Sequence, residues 1–305
     1  MNRMSRFTDI DGPVHYIDHG GSGPTVVMVH GLGGSHLNWR RVAPNLSQRF
    51  RVFAPDLRGF GLTPLDGNDA RLPSQVEMLA ELIRAVAGEP VLVVGNSMGG
   101  LTSLLLTAAH PDVVAGLVMI NPALPIRSTG AINRDTLLRL GLPLLPGLGE
   151  MAVRHYETSS SPEERITESF QFITADPERI DPETLQAAIE MARIRLSMEW
   201  TDTAFTQAMR SIASTLLPLR RFRRTVHSIG APVLLIHGEE DRVVALDSAQ
   251  WIADERPDWM FHPIAGVGHV PQLELPDLVV DIVNEWVTES VRFDETTAAN
   301  GRRQN

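Results

Sequence analysis

The chain has 305 residues, 43% of them hydrophobic, with 27 basic against 37 acidic side chains and a formal charge of −10. That size suits one large α/β domain with an insertion, or two modest domains, and the acidic balance argues against nucleic acid or anionic membrane as a partner. Cysteine and lysine are both absent, which excludes disulfides, thiolate metal sites, a cysteine nucleophile and Schiff-base chemistry.

Asp9, Asp11 and Asp18 interrupt the first twenty residues, and no apolar run of adequate length precedes them, so no secretory leader is expected. With the missing cysteines this leads to the expectation of a cytoplasmic protein, and the all-arginine basic complement suggests a bacterial one. Residues 14–18 read as the second arm of a hairpin that turns at Asp11-Gly12-Pro13. Residues 25–30 read as a buried strand, followed by Gly31-Leu32-Gly33-Gly34, a loop whose amides can approach a ligand closely. A helix is expected from near Asn38 or Trp39, then a strand over 50–54 and the loop Asp56-Leu57-Arg58-Gly59-Phe60-Gly61. Ser74 is expected to cap a helix running to about Val86, with Glu77 three residues on completing a capping box.

Val91-Leu92-Val93-Val94 then runs through Gly95-Asn96-Ser97-Met98-Gly99 into a helix whose Leu101, Leu104, Leu105 and Ala108 share one face. Glycines two residues either side of Ser97 permit a sharp strand-to-helix reversal that exposes its hydroxyl, with the first helical amides aimed at the same spot. A bare Gly-x-Ser-x-Gly arises by chance in about one chain in ten of this length, so the pattern needs partners elsewhere.

The apolar region 101–120 is broken by His110-Pro111-Asp112, which makes it a helix and a strand and not a membrane span. Residues 122–229 lack strand-like runs and read as an inserted helical cap. Its segment from Leu137 to Pro146 is too apolar for a solvated loop and is expected to divide between cap core and pocket entrance. Arg220, Arg221, Arg223 and Arg224 read as a solvated helix face. Strands return at 232–238, leading to Glu239-Glu240-Asp241-Arg242-Val243-Val244, and at 259–264, leading to Gly268-His269-Val270-Pro271. A closing helix spans 276 to about 291, and the polar tail 292–305 is expected to be disordered.

Strands alternating with helices imply a mostly parallel sheet whose functional loops gather at the carboxyl ends of the strands. Taken together, the glycine loop after His30, the Asp56 to Gly61 loop, the Ser97 turn, Gly238-Glu239-Glu240-Asp241 and Gly268-His269 resemble the α/β-hydrolase superfamily over about residues 10–290. The resemblance implies an α/β fold with a mostly parallel sheet of eight strands, a core formed by residues 1–121 and 230–291, and the cap between them. It further implies Ser97 as nucleophile, His269 as base, Asp241 as orienting acid, and the amides of Leu32 and Met98 as oxyanion donors. No cofactor and no metal are required, and the expected partner is a small-molecule ester, with neither nucleic acid nor an integral membrane association.

Competing residues have plainer readings. Glu239 and Glu240 are taken as solvated neighbours of Asp241, His30 and His237 as backbone-bonded strand ends, His110 as a helix end, Asp56 as structural and Trp39 as core. Asn121 occupies a loop where some relatives carry their acid, but an amide cannot replace Asp241. A serine at 97 argues against dehalogenase and epoxide hydrolase chemistry, which need a carboxylate there. The expected reaction is hydrolysis of esters with small to medium apolar acyl groups through an acyl-enzyme. The alternative is hydrolysis of a carbon–carbon bond in aromatic ring-cleavage products. A less favoured alternative is a ligand-binding homologue without turnover. The Gly31 to Gly34 loop lacks Gly-Pro-Gly and no aromatic follows His269, which favours the ester.

Overall fold

The computed structural model describes residues 4–127, 141–291 and 293. Eight strands form one sheet: β1 (Ser5–Asp9), β2 (Pro13–Gly20), β3 (Thr25–Val29), β4 (Arg51–Pro55), β5 (Val91–Asn96), β6 (Val114–Ile120), β7 (Val233–Gly238) and β8 (Met260–Ile264). Their spatial order is β1-β2-β4-β3-β5-β6-β7-β8. The first two strands form the expected hairpin, β2 pairs antiparallel with β4, and every later pairing is parallel.

Continuous apolar runs such as those of β3, β5 and β7 must be covered on both faces, and successive side chains alternate between the two. Val27, Val93, Leu117, Met119 and Leu235 enter one core with α2 (Leu72–Val86), α3 (Met98–Ala109), α8 (Leu219–Ser228) and α9 (Leu246–Glu255). Val26, Met28, Leu92, Val94, Val118, Ile120, Leu234 and Ile236 enter the other, with Trp39, α1 (Ala43–Leu46) and α10 (Pro276–Ser290). Trp39 and Trp286 are among the largest fully buried side chains, so Trp39 is core.

Between β6 and β7 the described residues hold α4 (Leu148–Ser159), α5 (Pro162–Ile173), α6 (Pro182–Leu196), α7 (Thr201–Leu216) and α8, and no strand. Residues 137–140 of the apolar segment lie outside the described residues, as does the tail but for Phe293. No helix among the described residues is long and apolar enough to cross a membrane.

Two local expectations are corrected. Helix α2 begins at Leu72, before Ser74, because Pro73 fits a first turn that lacks internal N–H partners. Its N-cap is Arg71, without a side-chain bond, and the Leu72 N–H donates to Ser211 Oγ of α7 at 2.9 Å. A tertiary contact thus replaces the capping box. The helix expected from Asn38 is a 3-10 turn over His36–Trp39, capped by Ser35, followed by the four-residue α1.

The loops after β3 and β4 are tied by buried polar groups. Asp56, fully buried, accepts from His15 Nδ1 at 2.8 Å, His36 N at 2.6 Å and Leu62 N at 2.9 Å. Burial would raise its pKa, but His36 and the hydrogen bonds from His15 and His36 outweigh it and hold the carboxyl below its usual range. Beside it His30 donates from Nδ1 to the Gly31 carbonyl and accepts the Leu57 N–H at Nε2. Burial lowers the His30 pKa to about 4 from an ordinary 6.5. The unfolded chain therefore binds a proton in this window that the folded chain refuses, so stability falls as pH drops from about 6.5 to about 4. We expect a loss on the order of 3 kcal/mol from this site, read as a falling urea midpoint between pH 7 and pH 4.5. A midpoint that is flat or rises would overturn the neutral His30.

Candidate active site

Ser97 lies between β5 and α3 with φ 56° and ψ −119°. The left-handed backbone is held at both ends: the Ser97 N–H donates to the Ile120 carbonyl at 3.1 Å, and its own carbonyl accepts from Leu101 and Ala123. Only glycine fits at 99, where a Cβ would stand 2.2 Å from the Val29 carbonyl oxygen. At 95 a Cβ would stand 2.4 Å from the Gly99 oxygen. Helix α3 can therefore close onto the ends of β3 and β5, which turns the serine outward.

Asp241 and His269 follow β7 and β8, at the same edge of the sheet. His269 Nδ1 donates to Asp241 Oδ2 at 2.7 Å. Asp241 Oδ1 accepts the Val243 and Val244 N–H groups at 2.7 and 3.0 Å, and Asn121 Nδ2 donates to Oδ2 at 2.7 Å. Burial acts to raise the Asp241 pKa, but His269, His237 and the Asn121 hydrogen bond together hold it below its usual value. The group is an ionised acceptor at neutral pH.

Ser97 and His269 face one cavity of about 570 Å³, walled by Leu32, Val243 and residues of α4, α5, α6 and α7. Among the described residues Ser97 Oγ has no hydrogen-bond partner, a looseness common before substrate binds. The glycine loop closes one side: a Cβ on Gly31 would lie 3.1 Å from Ser97 Cβ. The Leu32 and Met98 N–H groups donate to no described backbone acceptor, so both remain available beside the serine. All five residues singled out from the sequence thus fall at this edge. Leu142 and Pro143, from the end of the apolar segment, join the wall, while Leu145 is 46% exposed.

The plainer readings hold in the geometry. His237 is buried and bonded to the Val244 carbonyl at 2.9 Å, Glu239 and Glu240 are exposed, and Arg220, Arg221, Arg223 and Arg224 of α8 are exposed, with Arg223 paired to Glu255. His15, His36 and Asp56 bring possible metal ligands within 4.8 Å of one another. Their hydrogen bonds to one another and to the Leu62 amide already occupy those atoms, so the cluster reads as a structural tie.

Sequence reasoning missed three supporting side chains. Asn121, at φ 44°, also accepts the Gly238 N–H through Oδ1. Asn96 Nδ2 donates to the His269 carbonyl at 3.2 Å. Glu274, 3% exposed, accepts the Gly268 N–H at 2.8 Å and, through its other oxygen, the Ala175 and Asp176 amides. Only Asn121 gave a signal, as a polar residue directly after a central strand.

With that geometry in view, residues 24–276 match the alpha/beta hydrolase fold family, and the chain belongs to it. It is 27% identical to the 2-hydroxy-6-oxo-6-(2'-aminophenyl)hexa-2,4-dienoic acid hydrolase of Metapseudomonas resinovorans, covering 97% of this chain and 94% of that one. It is 28% identical to the 2-hydroxy-6-oxo-2,4-heptadienoate hydrolase of Pseudomonas putida, covering 94% and 96%. Among solved structures it is similar to a thermophilic esterase from Thermogutta terrifontis, with a TM-score of 0.71, 22% identity and coverage of 93% and 98%, a likeness of fold alone.

The contact between Asn121 and Asp241 is directly testable. Asn121→Asp sets a second carboxyl where the donor stood, and one of the pair must then keep its proton above the ordinary range. A raised folded pKa destabilises above about pH 4 and increasingly so toward neutrality. We expect the melting temperature of the variant to trail wild type by several degrees more at pH 8 than at pH 5, and an equal deficit at both would overturn the contact.

Proposed function

We propose that this protein is a serine-nucleophile hydrolase that cleaves a carbon–carbon bond beside a ketone carbonyl in a small conjugated oxo compound. The observation that carries the nucleophile is the strained Ser97 turn opening on the cavity that His269 lines, with Asp241 behind the imidazole. Ser97 Oγ attacks the carbonyl while His269 takes its proton, Asp241 orients and stabilises the imidazolium, and the Leu32 and Met98 amides receive the developing oxyanion. His269 then returns the proton to the leaving group, and water releases the acyl-enzyme by the same steps in reverse.

The choice of bond rests on the relatives. A 2-hydroxy-6-oxo dienoic acid contains neither ester nor amide, so its hydrolysis can break only a carbon–carbon bond; once the 2-hydroxy diene has ketonised, losing the hydroxyl proton and gaining one at carbon 5, that carbon can depart as an enolate conjugated through to the new 2-oxo group. Two such hydrolases share 27% and 28% of residues with nearly the whole of this chain. This displaces the ester that the sequence favoured on the glycine loop and on Val270, since those are differences at two loops weighed against likeness along the full length. The mostly apolar cavity wall supports the ester as a second reading.

The test compares 2-hydroxy-6-oxo-6-phenylhexa-2,4-dienoate with p-nitrophenyl esters of two to twelve carbons. We expect kcat/KM on the dienoate to exceed that on any ester by at least about a hundredfold, a gap of nearly 3 kcal/mol in transition-state binding. The reverse order would establish the esterase. Ser97→Ala and His269→Ala should each lower turnover by about a millionfold, and Asp241→Asn by about ten-thousandfold. Retention of activity in any one variant would remove that residue from its proposed role.

A further inference from the structure

Glu274 is a buried carboxyl group that the proposed reaction does not use. It ends the four-residue turn Pro271–Glu274, directly after the loop that carries His269. Every backbone polar group of Gly268 and His269 is bonded, as buried amides must be. Asn96 and Asn121 donate to the His269 and Gly268 carbonyls at 3.2 and 3.3 Å, which ties the loop to β5 and to the end of β6. The two N–H groups face the other way. That of His269 donates to the Ile173 carbonyl at 2.7 Å, and that of Gly268 to Glu274 Oε1 at 2.8 Å. Glu274 Oε2 accepts the Ala175 and Asp176 N–H groups at 3.1 and 3.2 Å, so one carboxyl group joins the histidine loop to the residues just after α5. The two segments also touch directly, since a Cβ at Gly268 would stand 2.6 Å from the Ala175 nitrogen.

A buried carboxylate is a costly way to fill space. Burial pushes the Glu274 pKa up, against the pull of its three amide donors. Gln272, two residues earlier in the same turn, is buried with neither end of its amide bonded to a described residue, so it does not share the task. Holding donors on both oxygens requires an ionised acid, because glutamine in its place would turn an NH2 group toward an N–H. We infer that Glu274 is a positioning residue for His269: its carboxylate spans from Gly268 to Ala175 and Asp176 and fixes the backbone from which the imidazole reaches Ser97. It touches no substrate and acts only through the histidine. The inference rests on the proposed serine nucleophile and base, and is independent of which bond the enzyme cleaves.

The experiment follows labelling of the full chain by a fluorophosphonate in excess. Ser97 Oγ bonds phosphorus, fluoride leaves and His269 takes the serine proton, so the reaction reports the base without any natural substrate. Its first-order rate constant is set by the molecules that react and not by how many there are, so a smaller folded fraction lowers the amplitude alone. We expect Glu274→Gln to label about ten- to a hundredfold more slowly than wild type, and Gln272→Met to stay within about threefold of it. On whichever substrate is turned over, kcat of Glu274→Gln should fall by a similar factor with KM changed by less than about twofold. A Glu274→Gln protein that melts lower yet labels at the wild-type rate would overturn the inference, as would an equal slowing in Gln272→Met or a loss confined to KM. If circular dichroism shows Glu274→Gln unfolded, Glu274→Asp decides by the same criteria, since it keeps the charge and is too short to span both segments. Wild type that fails to label would overturn the nucleophile and the inference with it. Wild type and variant labelling at one rate would overturn the positioning role alone.

Discussion

The left-handed backbone at Ser97 is the constraint on which the rest of the site depends. A non-glycine residue in that region costs of order 1–3 kcal/mol, and it persists only where its surroundings leave no alternative. Here the surroundings are the sheet itself. The Ile120 carbonyl at the end of β6 accepts the Ser97 N–H, and the Ala123 N–H just beyond β6 donates to the Ser97 carbonyl. Gly99 brings α3 against the end of β3. The turn therefore needs β3 and β6 as the two neighbours of β5, which is the order the sheet adopts. Strand order and an exposed hydroxyl are one fact seen at two scales.

The acid side is built by the same logic, with each parallel strand delivering one part at its carboxyl end. Strand β6 delivers Asn121, β7 delivers Asp241 and β8 delivers His269, and the hydrogen bonds among them run across the sheet edge. Asp241 is buried, and a buried carboxylate is tolerated only when its acceptor capacity is used. Four donors use it: the Val243 and Val244 amides, the Asn121 amide group and the His269 ring. The imidazole is thereby left with one orientation, Nδ1 toward Asp241 and Nε2 away from it.

Legibility in the sequence divided along the line between local and tertiary causes. The sheet strands, the Ser97 turn and the residues after β7 and β8 were readable because apolar runs and glycine positions act within a few residues. The start of α2 was misread because the group that caps it, Ser211, lies far along the chain in α7. Asn96 and Glu274 were invisible for the same reason, since their acceptors and donors belong to other elements. The choice between ester and carbon–carbon bond was not legible, because the nucleophile, base and acid required are the same for both.

What distinguishes substrates must then lie in the wall, and the wall is not independent of the machinery. Helix α5 supplies Arg165 and Phe172 to the cavity, and its last residue, Ile173, accepts the His269 N–H through its carbonyl at 2.7 Å. Arg165 and Ile173 are about 12 Å apart along one rigid rod. Directly after it, Ala175 and Asp176 share Glu274 with Gly268, which fastens the end of α5 to the histidine loop a second time. The helix that walls the cavity is therefore also the helix fastened to the loop that carries His269.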